Sequence, residues 1–317
     1  MCRTLDPNEA DLFYAPVLPA PKPGKYWNAT CSVISAKTVK NALVHLNASN
    51  ACKHFFAVGK GHYNAAPCVG WYSHPIPSLR SVQRLSYTHY IFQINEHGAH
   101  EYVPNDATKE EYPNLYSVPY PSSLHFSSSK TEMKHFQEAR HVLMSFIGKD
   151  SHGDVEVRQR ISKSCREYKS DQVCEYIERF KPTLATNKGK ATFCLEPAGD
   201  SPWRKSISDS ITFGCIPVLF SELTDNVTPW FWKDWKDRAR VLVPRDEFVA
   251  GRIDLKKLLQ SIPPELLSLM KKTLMDKARR FQYSIDEDPE DGIRITLDNL
   301  HRIAKDMERQ GVCGYKP

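Results

Sequence analysis

The chain contains no apolar run near the roughly 20 residues that a membrane-crossing helix needs, and no basic-then-apolar secretion pattern begins at Met1. No two cysteines stand in C-x-x-C spacing, so neither a zinc knuckle nor a dithiol redox motif is indicated. No G-x-G-x-x-G follows a first strand, which argues against a nucleotide-dependent oxidoreductase. No Asp-x-Asp metal motif stands out. Internal repeats are absent, and low complexity is confined to the serines of Ser127–Lys134, which read as a linker. Net charge is also small. A net +6 spread over 317 residues, 43 basic against 37 acidic, does not suggest nucleic acid as the partner.

What is present is ample apolar material, 41% of residues, enough for one large domain or two ordinary ones. Nine cysteines together with three N-x-S/T sequons, at Asn28, Asn47 and Asn226, lean toward an oxidising lumen. Cys165 and Cys174, flanking one predicted helix, are the favoured disulfide pair, and the odd total leaves at least one thiol free or paired with another chain.

The chain is organised around Thr192–Glu222, TFCLEPAGDSPWRKSISDSITFGCIPVLFSE. Thr192–Leu195 is an apolar strand, and Glu196–Pro202 carries the Pro, Gly, Asp and Ser that break strands. Ser201 or Asp200 is placed to cap a helix with Pro202 in its first turn. Gly214 is a natural stop, and Ile216–Phe220 is the next buried strand. A right-handed crossover of this kind implies a parallel sheet with its ligand crevice at the carboxyl ends of the strands. Free N–H groups and the dipole at a helix start favour an anion there. Arg204 and Lys205 then read either as its counter-charges or as a solvated helix face, and Asp209 as a ribose acceptor or a surface acid.

The string Phe193-Cys194-Leu195-Glu196-Pro197-Ala198-Gly199-Asp200-Ser201, then Arg204-Lys205-Ser206, Asp209-Ser210 and Gly214-Cys215-Ile216-Pro217-Val218, resembles the signature of glycosyltransferase family 47, the exostosin-like inverting transferases. The R-K-S-x-x-D-S-I form is most similar to the plant-type xyloglucan galactosyltransferase branch. Leu5–Pro16 resembles the family's D-P-x-E-A-D-L-F segment, and Tyr116–His125 its I-P-Y-P-x-x-x-H segment.

The resemblance implies an α/β fold of GT-B architecture, two facing Rossmann-like domains. The acceptor-side domain would span 1–130, with its start truncated, and the nucleotide-sugar domain 131–317, with a closing helix that crosses back. It implies an inverting transfer from a UDP-sugar to a glycan or glycoprotein acceptor; the alternative is a non-catalytic exostosin-like glycan-binding protein. No cofactor is required beyond the UDP-sugar co-substrate, and a divalent metal is possible without being implied. The family sits in the Golgi lumen as type II membrane proteins, anchored by an N-terminal segment that this chain does not show.

Residue by residue, Gly199, Asp200 and Ser201 would receive the diphosphate, Arg204, Lys205 and Ser206 would neutralise and bind it, and Asp209 would bind ribose. Gly148 and Arg158 form a second glycine loop and helix start after the strand His141–Gly148. There Arg158 reads either as aimed at the diphosphate or as a surface partner of Glu156. Tyr120 and His125 would line the acceptor side. The base stays open among His62, Glu96 and His97, each in a loop after a predicted strand (His54–Gly59 and Tyr90–Ile94). The Trp-rich Thr228–Asp237 reads as sheet-facing core, and Pro264–Phe281 as a helix burying Leu266, Leu269, Met270, Leu274 and Ala278.

Overall fold

A computed structural model describes residues 3–16, 41, 43–47, 49–59, 79, 81–88, 90–94, 100–104, 114–125, 136, 138–168, 170, 172–178, 182–199, 201–284 and 288–313. The chain divides into two units, Met1–Val118 with Ile295–Pro317, and Pro119–Arg294. The break falls at 118/119, earlier than the 130/131 boundary expected from sequence. The last part of the closing helix groups with the first unit, as the crossing-back helix requires.

The first unit holds a four-stranded sheet in the order β1 (Phe13–Tyr14), β2 (His54–Gly59), β3 (Gln83–Ser86), β6 (Leu115–Ser117), with every neighbouring pair parallel. A separate antiparallel ribbon joins β4 (Tyr90–Ile94) to β5 (His100–Pro104). The closing helix Gly292–Arg309 is tied to this unit at three points. Gln83 Nε2 donates to the carbonyls of Cys52 and Leu300 at 2.6 and 3.1 Å, Lys53 pairs with Glu308 at 2.8 Å, and Cys52 is disulfide-bonded to Cys313.

The second unit holds a five-stranded, all-parallel sheet in the order β11 (Val241–Leu242), β10 (Ile216–Leu219), β9 (Ala191–Glu196), β7 (Val142–Ile147), β8 (Cys174–Ile177). Strands β9 and β10 are almost wholly buried, as expected where a parallel sheet is covered on both faces. Helix α1 (Val155–Glu167) links β7 to β8, and α2 (Lys205–Thr212) links β9 to β10. The expected Cys165–Cys174 bridge pins α1 to β8, and Cys194–Cys215 pins β9 to the start of β10.

Two expectations need correction. The helix in the signature starts at Lys205, not at Pro202, and its N-cap is Arg204, which offers no side-chain cap. Ser201 caps nothing: its hydroxyl donates to the Trp203 carbonyl at 2.5 Å. The Trp203 indole is wholly buried, edge-on to Trp232 and stacked on Phe281, and packing it delays the helix by three residues. The Trp-rich segment is core, with Trp232 and Trp235 buried. In the long helix Pro264–Lys277, Leu266 and Leu269 are exposed, while Met270, Thr273 and Leu274 face inward. The buried stripe begins one turn later than the apolar spacing suggests, because the first turns of that helix stand clear of the sheet.

Candidate functional site

Strand order locates the site. From β7 the chain steps outward to β8, and it next enters the sheet on the other side of β7 as β9, before moving on to β10. The winding direction therefore reverses between β7 and β9, and at such a reversal the loops leaving two adjacent parallel strands diverge and open a crevice. Those two loops are 148–154 and 197–204, and both carry glycines.

The loop after β7 is closed by its own side chains. Asp154 accepts from Val157 N–H at 3.3 Å and caps α1, while its carboxylate is gripped by Arg245 through Nε and Nη2 at 2.7 and 2.9 Å. Glu156 pairs with Arg245 as well, at 2.6 Å. Three hydrogen bonds spread over one fork raise the Arg245 pKa. Arg158 is 2% exposed. Its guanidinium donates to the carbonyls of Ala198, Lys149 and Pro197 at 3.0, 2.6 and 3.3 Å, and it lies over the Phe146 ring. Buried as it is, Arg158 is not a surface partner of Glu156; it clasps the two loops together. Gly148, at φ +155, keeps Arg158 in ordinary contact, while Gly153 is required outright. At φ +73, a Cβ on Gly153 would stand 2.5 Å from Gly199 Cα and 2.6 Å from the Ala198 carbonyl oxygen. The Asp154 N–H···O=C Ala198 bond at 3.2 Å completes the seam.

The loop after β9 ends differently. No side chain caps α2, whose first acidic residue comes only at its fifth position. Arg204 forms no direct ion pair with a described residue, although its charge helps hold the Glu196 carboxyl low, and it lies on Gly199, where a Cβ would meet its Nε at 2.7 Å. A half-buried cation resting on a glycine beside an uncapped helix start is what an anion site needs.

Beneath α2 lies a buried floor. Lys188 and Glu196, 2% and 1% exposed, pair at 2.5 Å. Lys188 Nζ also donates to Ser210 Oγ at 3.0 Å, and Glu196 Oε1 accepts from Ser206 Oγ at 3.0 Å and Ser210 Oγ at 2.6 Å. Burial alone pushes the Glu196 carboxyl up, but the charge and hydrogen bond of Lys188 and the Ser210 hydroxyl outweigh it, so the group is held low and ionised. A carboxylate only accepts, so the single Ser206 hydroxyl proton is committed to it. Toward a ligand, Ser206 can offer its backbone N–H and an oxygen lone pair.

Asp209 is fully buried and occupied. It accepts from Lys205 Nζ at 2.9 and 2.8 Å through its two oxygens, and Oδ1 also accepts from Ser123 N–H at 2.6 Å and Ser122 Oγ at 3.1 Å. These partners within the protein engage both of its carboxylate oxygens. Asp209 fastens Lys205, 40% exposed, and the Ser122–Ser123 turn to one face of α2. Lys205 bridges further to the Ser123 hydroxyl. The segment holding Tyr120 and His125 thus belongs to the second unit, with Tyr120 half-buried and His125 exposed.

Of the candidate residues, Gly148, Arg158, Gly199, Ser201, Arg204, Lys205, Ser206 and Asp209 all fall on these two loops and on the helices α1 and α2 that follow them. His62, Glu96, His97 and Asp200 lie outside the described residues. Asp288 is buried and paired with Arg279 at 2.7 Å, so it serves the fold. Sequence reasoning passed over the Lys188–Glu196 floor, although a carboxylate closing an apolar strand was visible at Glu196.

Two parallel-sheet α/β units, one with an anion-receptive glycine loop at its winding reversal, define the class. The chain belongs to the Exostosin GT47 domain family, whose model matches residues 1–239 and so spans both loops. Among curated relatives it is 25% identical to xyloglucan galactosyltransferase XLT2 of Arabidopsis thaliana, covering 97% of this chain and 61% of that protein. It is 31% identical to probable xyloglucan galactosyltransferase GT12 of the same plant, covering 62% of this chain and 42% of the relative. The chain thus spans less than two thirds of either relative. Among solved structures, an alpha-glucosyltransferase in complex with UDP-glucose and DNA containing an abasic site is similar over 84% of this chain and 76% of its own, at 11% identity and a TM-score of 0.45.

Proposed function

We propose that the protein is an inverting glycosyltransferase that moves a sugar from a UDP-sugar to a glycan hydroxyl. One observation supports this above the others: the uncapped start of α2, with Arg204 laid on Gly199, at the winding reversal of the second unit's sheet. The backbone N–H groups of Lys205 and Ser206 and the Arg204 guanidinium hold the donor's diphosphate. The Ser206 oxygen accepts from a donor hydroxyl, because its own proton is committed to Glu196.

In the transfer, the acceptor oxygen attacks the anomeric carbon opposite the diphosphate. The anomeric C–O bond breaks, and the departing UDP keeps the electron pair. Arg204, Lys205 and the helix dipole neutralise that developing charge, the term that lowers the barrier most in such sites. The acceptor proton passes to a base for which His62, Glu96 and His97 are the candidates, and the reading needs no metal cofactor. Three disulfides among the described residues support work in an oxidising lumen such as the Golgi, and the relatives' names support a plant-type wall glycan as acceptor.

The test is calorimetric titration with UDP, followed by UDP release from a panel of UDP-sugars. Micromolar to millimolar UDP binding is expected, together with release from at least one sugar donor. A folded protein that ignores UDP overturns the proposal, and binding without any turnover converts it to the glycan-binding alternative.

A further inference from the structure

The three sequons differ in what their surroundings allow. Asn28 lies outside the described residues. Asn226 is exposed, but its Oδ1 accepts from Lys236 Nζ at 2.8 Å, and the rest of its sequon is inaccessible. Val227 and Thr228 are wholly buried, Thr228 at a left-handed φ of 57°. Asn47 is the opposite case. Asn47 and Ser49 are both exposed, in a turn that immediately precedes the buried Ala51 and Cys52.

That turn is locked around one carboxamide. Asn47 Oδ1 accepts from Ser49 N–H at 2.9 Å, Ser49 Oγ–H at 2.7 Å and Asn50 N–H at 3.1 Å. Asn50 returns the bond, its Oδ1 accepting from Asn47 N–H at 2.9 Å and its Nδ2 donating to the His45 carbonyl at 2.8 Å. All donors converge on the amide oxygen. Among the described residues the amide nitrogen, Nδ2, meets no acceptor, and Asn47 as a whole is exposed. A bulky substituent on Nδ2 breaks none of these bonds, and it would shelter Val44, 71% exposed three residues earlier.

We propose that Asn47 Nδ2 is a site of N-linked glycosylation. The co-reactant is an oligosaccharide carried on a polyprenyl diphosphate. The Nδ2–C1 bond forms, the C1–O bond to the diphosphate breaks, the diphosphate leaves with the electron pair, and Nδ2 gives up one proton. The contact between the Ser49 hydroxyl and Asn47 Oδ1 is the feature of the turn that the N-x-S pattern encodes. The modification demands passage through an oxidising lumen, which the Cys52–Cys313 bridge five residues on also demands.

The full chain is to be expressed through the secretory route of a eukaryotic cell. It is then treated with and without an amidase that removes N-glycans, and the peptide containing Asn47 is identified by mass spectrometry. The expected result is a mobility shift that N47Q and S49A both abolish, with Asn47 recovered as Asp after enzymatic release. The N226Q variant should keep the shift. Protein carrying the Cys52–Cys313 disulfide with an unmodified Asn47 overturns the proposal. Recovery with Cys52 as a free thiol overturns it as well, by removing the lumenal route.

Discussion

The two glycine loops of the second unit share a plan and differ in their endings. Each follows a central parallel strand and leads into a helix, and the two touch along Gly153 and Gly199. The loop after β7 is finished: Asp154 caps its helix, Arg245 grips the cap, and Arg158 ties it to the carbonyls of the neighbouring loop. The loop after β9 is left uncapped by any side chain, and the Arg204 at its end makes no direct ion pair with a described residue. Identical topology thus yields one structural wall and one receptive end. The residue at the N-cap position decides which.

The largest expected effect strikes the floor of the open loop. Glu196→Gln leaves Lys188 charged and buried without its partner, which should cost about 3–5 kcal/mol in chemical denaturation. A loss below about 1 kcal/mol would mean that the pair does not hold α2 in place. Next comes the wall. Arg158→Met removes the guanidinium donor from the Lys149 and Pro197 carbonyls and one of two donors from Ala198, and should cost about 3 kcal/mol, each buried unsatisfied group costing about 1–3. UDP affinity in the surviving folded fraction should change little, because Arg158 faces the protein. A loss of binding with stability intact would restore Arg158 as a ligand group and erase the contrast between the loops.

A third variant turns the open end into a closed one. Arg204→Asp supplies the missing cap and should stabilise the fold by about 1 kcal/mol. It should also abolish UDP binding, since a carboxylate replaces the guanidinium at the phosphate position. A variant that loses stability but keeps its nucleotide would show that the two ends are alike. The smallest effect is a slope. Glu196 is held below the unfolded carboxyl value of about 4.3, so its contribution is complete above that pH and disappears as pH falls through the folded value. Asp225, lowered against the opposing effect of burial by its bonds to Arg240 and Lys236, behaves the same way. Stability should therefore fall on acidification below about pH 4, less steeply in Glu196→Gln than in the parent.

Much of the second unit was legible in the sequence because local signals agreed with the global fold. Apolar runs at Val142–Ile147 and Ile216–Leu219 became strands. Gly214, at φ +69, closes α2 with bonds from its own N–H to Ile211 and from Cys215 N–H to Ser210, the glycine stop that the sequence suggested. The Cys165–Cys174 pairing was legible because the two cysteines lie nine residues apart, one in the last turns of α1 and the other at the start of β8. The helix start was misread, because Ser201 and Pro202 carry strong capping propensities that the burial of Trp203 overrides. The partners that Asp209 and Arg158 have within the protein were not legible for a related reason. A charged residue beside a glycine loop has the same sequence signature whether it binds a ligand or holds the loop, and only its hydrogen-bond partners separate the two.

The bridge between Cys52 and Cys313 encloses 261 residues of sequence. A protease that nicks any loop in between, including any long segment of the first unit, leaves two pieces still covalently joined. On a denaturing gel the clipped and intact chains would migrate with the same mass until a reductant is added. Purity judged without thiol would therefore overlook cleavage.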